Sequence, residues 1–559
     1  MDQWTGKKIF TYFSRLLFGS AIVCALVFNF YGQTPQPTQP DEPPPVVPTF
    51  AIPPRPMPST DRVGVNTDNQ LSLTLDQAIE MALKNNNDID ASRKDARIAD
   101  FGLKGARGIY DPLLNSETYY ESRTTPTAST IGGAVNGSIT QRQFFNNVGL
   151  TGFVPRFGGS YDALFTSSRT NTTNRNSTLN PQFPASLIFS YTQPLWRGLR
   201  YDNNRRQIDI AKKNIDLSDA QLRQKAMDVV SGVEQAYWDL AFALRNLQVQ
   251  SDTLKQTKEQ LESNKRLVAA GVLAPIEIVA ANAQIATFEQ AIYIAQESVT
   301  RAENTLKTLV LPDRNAAEWS RQLTPVTPIG LVVPRIGLDV ALTEAIKNRT
   351  EIEQLETNAE INRINEKYYR NQTKPQIDLV SSYTSAGLAG TRNPNSSGSA
   401  TVPANLIGGY FDSLGNLLRQ DFPTYRAGVQ ISLPFGNHVA KANLGLTLAT
   451  RDKIANNRAQ IEQVIEAQVR NGLQALRSAE SRLASATDAR IAAEELYASE
   501  QRQFRGGTTT FYLVLQRQTD LNTARGREIQ AQTDLNKAIS EFQRAIGTTL
   551  TVNNVTVLK

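Results

Sequence analysis

The chain is written twice, and that repetition constrains its fold more than any other feature. LTLDQAIEMALKNNNDI (73–89) returns as IGLDVALTEAIKNRTEI (336–352). At an offset of 263 residues, seven of the 17 positions are identical, among them Asp76 and Asp339, Ala82 and Ala345, Asn85 and Asn348. The same offset carries Pro112 onto Pro375, where each helical pattern ends. Both halves then pass through Ser-, Thr-, Asn- and Gly-rich sequence and leave it at a second proline, Pro194 in SYTQPLWRG and Pro434 in ISLPFGN. A long helical stretch follows each. Repeats of this size are two copies of one supersecondary unit, here helix, strands, helices.

The helical stretches are long. Pro275 is the only proline from Arg205 to Leu311, and none occurs from Ala440 to Gly547. Leu240, Leu247, Leu254, Leu261 and Val268 recur every seven residues, and Ile278, Ile285, Ile292, Val299 and Leu306 do the same beyond Gly271. Ala524, Ala531, Ala538 and Ala545 keep that interval in the second half. A sustained seven-residue period is a coiled-coil seam. At about 1.5 Å per residue, the stretch from Arg205 to Ala270 spans roughly 100 Å. Gly271 followed by Pro275 reads as the tip of a helical hairpin, and Gly506-Gly507 marks its counterpart.

Between the helices the period changes. NVGLTGFV (147–154), SYDALFTSS (160–168), SLIFSYTQ (186–193) and TYRAGVQISL (424–433) alternate apolar and polar residues, which is the strand period. Aromatics gather nearby at Tyr119, Tyr120, Phe144, Phe145, Phe189, Tyr191 and Trp196. Such strands in an exported chain point to an outer-membrane β-barrel, against a soluble β-sandwich as the bland alternative. The strand region 111–196 is longer than 375–435 and holds an additional alternating pair around VPRFGG (154–159), whose place relative to the barrel is open at this point.

Export is read from the N-terminus. Lys7, Lys8 and Arg15 precede the apolar run Leu16–Phe30, too short for a spanning helix and suited to a signal peptide over residues 1–32. Cys24 lacks the small residue that a lipidation signal wants before it, so the mature chain is expected to start near Gln33 without lipid. Intact mass showing a diacylglyceryl group on Cys24 would overturn that. Residues 33–70 read as a Pro-rich linker, with eleven prolines from Pro35 to Pro58.

Composition narrows the function. The chain has one Cys and one His, Cys24 and His438. No internal disulfide or Cys/His zinc site can be assembled, and a Ser-His-Asp triad would rest on His438 with no G-x-S-x-G elbow. We expect no metal, no cofactor and no catalytic residue. Lys plus Arg is 59 and Asp plus Glu 53, a net +6 too dilute over 559 residues for a nucleic-acid partner.

LTLDQAIEMALKNNNDI, the strand exit YTQPLWRG, the tip RLVAAGVLAPIEIVAANAQ and its partner QFRGGTTTFYLVLQRQ, in that order, resemble the TolC-like outer-membrane efflux proteins. The resemblance covers about 71–547. It implies an α+β membrane protein: a homotrimer in which each protomer lends four strands to one twelve-stranded outer-membrane β-barrel, continued by a periplasmic α-helical coiled-coil barrel. It implies a first repeat at 71–330 with its tip at 271–275, a second at 331–547 with its tip at 506–510, and a tail at 548–559. It further implies a passive export duct in outer-membrane lipid, docking to a periplasmic adaptor and an inner-membrane pump. The rival reading is a structural coiled-coil scaffold of the periplasm, anchored at the envelope.

In that family the tips meet the adaptor. The matching positions are Gly271, Val272 and Leu273 in the first repeat and Gly507, Thr508 and Thr509 in the second. Acids often follow the second tip and ring the narrow pore end. Here Leu513 and Gln516 stand at those positions, Asp520 lies one turn beyond, and the acid past the first tip is kept as Glu277. The loops at 124–138 and 384–405 would lie outside the cell.

Overall fold

The structure, a computed structural model, describes residues 56–556 except 60, 129, 135, 329–331 and 397–400. The signal peptide, Cys24 and the linker as far as residue 55 lie outside the described residues. The chain divides into two units, Met1–Met57 and Pro58–Lys559, and every described helix and strand belongs to the second.

Among the described residues the helical elements run in the same order twice. Helices α1 (Leu75–Asn85) and α2 (Asn87–Arg107) precede the first strands, and α3 (Asn203–Ala269) and α4 (Ile276–Val310) follow them. Helices α5 (Leu338–Asn348) and α6 (Thr350–Gln372) precede the later strands, and α8 (His438–Arg505) and α9 (Phe511–Ala545) follow. Helices α3 and α8 have 67 and 68 residues, and α4 and α9 have 35 each. A short helix, α7 (Tyr410–Leu418), lies between strands, and α10 (Thr549–Val552) packs on α3.

Local chemistry sets the ends. Thr74 and Gln77 cap α1 reciprocally, with Gln77 N donating to Thr74 Oγ1 at 3.2 Å and Thr74 N to Gln77 Oε1 at 3.0 Å. Asn86 closes α1 and opens α2, its Oδ1 accepting from Asp88 N and Ile89 N. That one residue explains the polar run after the repeated motif.

The sevenfold seams face each other across the hairpins. Leu240, Leu254, Leu261, Ile285, Ile292, Val299 and Leu306 are all buried. One apolar core joins α1, α3 and α4 around Tyr237 and Trp238, and a second joins α5, α8 and α9 around Phe542. A parallel pair, β1 (Asn66–Leu73) with β6 (Arg321–Pro325), closes the first core. The first strand among the described residues thus begins at Asn66, inside the stretch assigned to the linker, and its Leu71 and Leu73 pack on that core. Tyr237 Oη donates to Leu73 O at 2.9 Å and accepts from Thr327 N at 3.0 Å.

A buried charge cluster holds the same corner. The Lys307 ammonium, fully buried, lies 2.9 Å from Glu303 Oε1 and donates to Trp319 O at 2.8 Å. Glu303 also pairs with Arg62 and accepts from Leu323 N at 2.9 Å. Removing one partner of such a cluster leaves the others charged and desolvated. Glu303→Gln is therefore expected to cost about 3–5 kcal/mol, seen as a lowered thermal midpoint that Leu323→Ile does not reproduce.

The strands form one antiparallel sheet in the order β2 (Leu113–Pro126), β3 (Ser138–Phe153), β4 (Ser160–Thr172), β5 (Leu179–Pro194), β7 (Gln376–Arg392), β8 (Phe422–Ser432). This corrects the expectation of four strands per protomer. The additional alternating pair is the β3–β4 hairpin, bonded through the whole of its length from Gln141↔Thr172 to Phe153↔Ser160 and flanked by β2 and β5. Residues 384–392, expected in an external loop, continue β7. Their Ser, Ala and Gly side chains are small because α7 lies on them.

Candidate export duct and hairpin tips

Cross-strand partners share a face, so the register sorts the sheet's side chains. One face carries Leu150, Phe165, Leu187, Phe189, Leu379, Tyr383, Tyr425, Val429 and Ile431. Many of these are exposed, including Phe189, Tyr425, Val429 and Ile431. The other face carries Glu117, Asn147, Asp162, Thr166, Ser186, Ser190, Asp378 and Gln430. A cleft of about 560 Å³, lined by Tyr119, Phe145, Asn147, Thr166, Pro184 and Ser186 among others, lies at the sheet. An antiparallel sheet with one exposed apolar face and a largely polar opposite face is the pattern of a barrel wall in lipid, with the apolar face outward. No helix among the described residues is long and apolar enough to cross a membrane.

At the far ends of the long helices the two tips share one geometry. In the first, Val272 N donates to Leu267 O and Gly271 N to Val268 O, both at 2.9 Å, with Gly271 at φ +74°. In the second, Thr508 N donates to Gln503 O at 3.1 Å and Gly507 N to Phe504 O at 3.0 Å, with Gly507 at φ +73°. Both are Schellman turns, and glycine sits at the left-handed residue that a side chain would strain. Val272 is 72% exposed and Leu273 half-buried. Thr508 is exposed, while half-buried Thr509 donates its hydroxyl to Glu500.

Behind the turns the hairpins share one core. Leu261 of α3 and Ala281, Ile285 and Phe288 of α4 pack with Phe511, Val514 and Leu515 of α9. Phe504 and Phe511 close the second tip with ring centroids 5.6 Å apart. Higher up, α3 and α9 are joined by polar side chains: Gln518 Nε2 donates to Thr257 Oγ1 at 3.0 Å, and Asn522 bridges Thr253 and Gln250.

Three of the four positions read as pore-lining lie on one helix. Leu513, Gln516 and Asp520 are all exposed on one side of α9, opposite the buried Val514, Leu515, Gln518 and Leu521. Glu277 is half-buried in the first turn of α4. One partner was missed by the sequence reading: Arg517 Nη1 lies 3.2 Å from Asp520 Oδ2. The i,i+3 spacing was the signal for it.

Residues 141–310 match the family model described as outer membrane efflux protein. This stretch of the chain is similar to an outer membrane efflux protein domain. Solved outer membrane proteins share the chain's fold. The CmeC outer membrane channel of Campylobacter jejuni aligns at TM-score 0.61 and 14% identity, over 92% of this chain and 95% of that one. The MtrE outer membrane channel of Neisseria gonorrhoeae, in its open state, aligns at 0.58 and 17%, over 89% and 98%. VceC, an outer membrane protein of Vibrio cholerae, aligns at 0.57 and 16%, over 85% and 96%. No protein of curated function matches the chain. Each match covers at least 95% of the solved chain and at least 85% of this one, so the shared fold takes in most of the molecule.

A buried acid sits between α3 and α9. Glu234 of α3 accepts from Ser540 of α9 and, at 2.9 Å, from Asn553 beyond α10. Burial pushes its carboxyl above the ordinary range, and the two hydrogen bonds only partly oppose this. The folded chain therefore holds a proton that the unfolded chain has released once pH exceeds about 4.5, so stability falls as pH rises through that window. Glu234→Gln is expected to raise the thermal midpoint at pH 7 and to converge with the parent near pH 4.

Proposed function

We propose that the chain is a protomer of a homotrimeric, passive export duct in the outer membrane, continued into the periplasm and joined through its tips to an adaptor and an inner-membrane pump. The observation that carries this is the open, two-faced sheet. Its end strands β2 and β8 each pair on one side only, and an open edge cannot persist in hydrocarbon. Six alternating strands leave β2 and β8 running in opposite directions, so β8 of one copy can pair antiparallel with β2 of the next.

Three copies close eighteen strands rather than the family's twelve. With strands about 4.8 Å apart and tilted by roughly 40°, eighteen enclose about 36 Å between backbones and twelve about 24 Å. The mouth is wide enough for a water-filled channel. The tips offer Gly271, Val272, Leu273, Gly507, Thr508 and Thr509 to the adaptor, and Leu513, Gln516, Asp520 and Glu277 ring the periplasmic constriction. Native mass measurement in mild detergent is expected to give three copies. A stable monomer that stays soluble without detergent would instead favour the scaffold reading.

A further inference from the structure

The helix α7 is built inside out for a helix in water. Its inner side carries polar Ser413 and Asn416, both fully buried against the sheet, beside a single buried leucine, Leu417. Asn416 Nδ2 donates to Leu388 O and Asn405 O, each at 2.8 Å. Its outer side carries Phe411, 82% exposed, and Leu418, 77% exposed, with the half-buried Leu414 between them at helical spacing. A helix covering a sheet in water turns that pattern the other way.

The sheet face beneath it explains the inversion. Ser385 Oγ donates to Leu417 O at 2.7 Å, and a side-chain carbon on Gly387 would stand 2.2 Å from Ser413 O. Tyr410 packs edge-on against Phe183. Ser385, Gly387 and Phe183 share a face with Leu187, Phe189, Leu379 and Val429, the apolar outer face. Its apolar residues give way to Ser167, Ala185, Ser385, Gly387 and Ala389 where α7 lies. The helix therefore covers a small, partly hydroxylated stretch of the β5–β7 part of that face, and continues the apolar surface with Phe411, Leu414 and Leu418.

We propose that α7 is a lipid-facing part of the barrel wall, seated in the acyl chains of the outer leaflet and not in the lumen or in water. The inference rests on the barrel reading above. Bimane attached at Phe411→Cys, Leu418→Cys and, as a reference on β8, Val429→Cys tests both, each in a Cys24→Ser chain in proteoliposomes. Acyl-chain doxyl lipid is expected to remove most of the bimane fluorescence at 411, 418 and 429, and aqueous iodide little of it. Quenching by doxyl at 429 with quenching by iodide at 411 and 418 overturns the α7 proposal while the barrel stands. Iodide quenching at all three overturns the barrel reading itself.

Discussion

Val272→Asp and Thr508→Trp are each expected to abolish export while the trimer survives. Val272 is an apolar side chain held in solvent by a turn whose glycine and hydrogen bonds leave it nowhere to retreat. Burying a carboxylate against an adaptor costs a few kcal/mol, roughly two orders of magnitude in docking. At the second tip, bulk on exposed Thr508 blocks helix approach without touching the shared core. Gly507→Trp blocks it too, but the left-handed φ adds backbone strain, so Thr508→Trp isolates the steric effect. Accumulation of cargo in cells and detergent mass of the purified variants are the two readouts. Unchanged export in both variants removes the tips from the interface.

Gln516→Asp is expected to create strong trivalent-cation block of single channels where the parent shows little. On the proposed ring, residue 516 is neutral and exposed on the same side of α9 as Leu513 and Asp520. Three copies of one acid at a narrow, low-dielectric ring would attract a multivalent cation strongly. Asp520 cannot do this fully, because Arg517 stands 3.2 Å from its carboxylate. Asp520→Asn is therefore expected to remove whatever weak block the parent shows, and Arg517→Gln to increase it. Planar-bilayer conductance with the cation on the periplasmic side measures all three. Strong parental block that survives Asp520→Asn would mean that another ring controls the pore.

The helical half of the molecule was legible because its signals are redundant. The seams mark the long helices, the glycine at each tip marks where they turn, and burial of Leu254, Ile285 and Val299 follows from spacing alone. Strand regions were harder. The β3–β4 hairpin alternates as clearly as its neighbours, but alternation cannot say which sheet a hairpin joins. Only the register with β2 and β5 does. Residues 384–392 looked like loop because their side chains are small, and they are small because a helix from later in the chain rests on them. Arg62 and Glu303 are 241 positions apart, a pairing no local pattern announces.

A hairpin is the only increment by which such a wall can grow. One strand more or fewer in the sheet would turn the β2–β8 junction parallel and return the chain at the opposite end of the sheet, parting α8 and α9 from their places beside α6 and α3. Parity is therefore fixed by the helices, while size is not. On the proposed three-fold ring each added hairpin would contribute six strands at once, so the bore would move in coarse steps and leave the helices below unaltered. The β3–β4 hairpin is one such step, and deleting residues 138–172 as a unit would be the way to take it back.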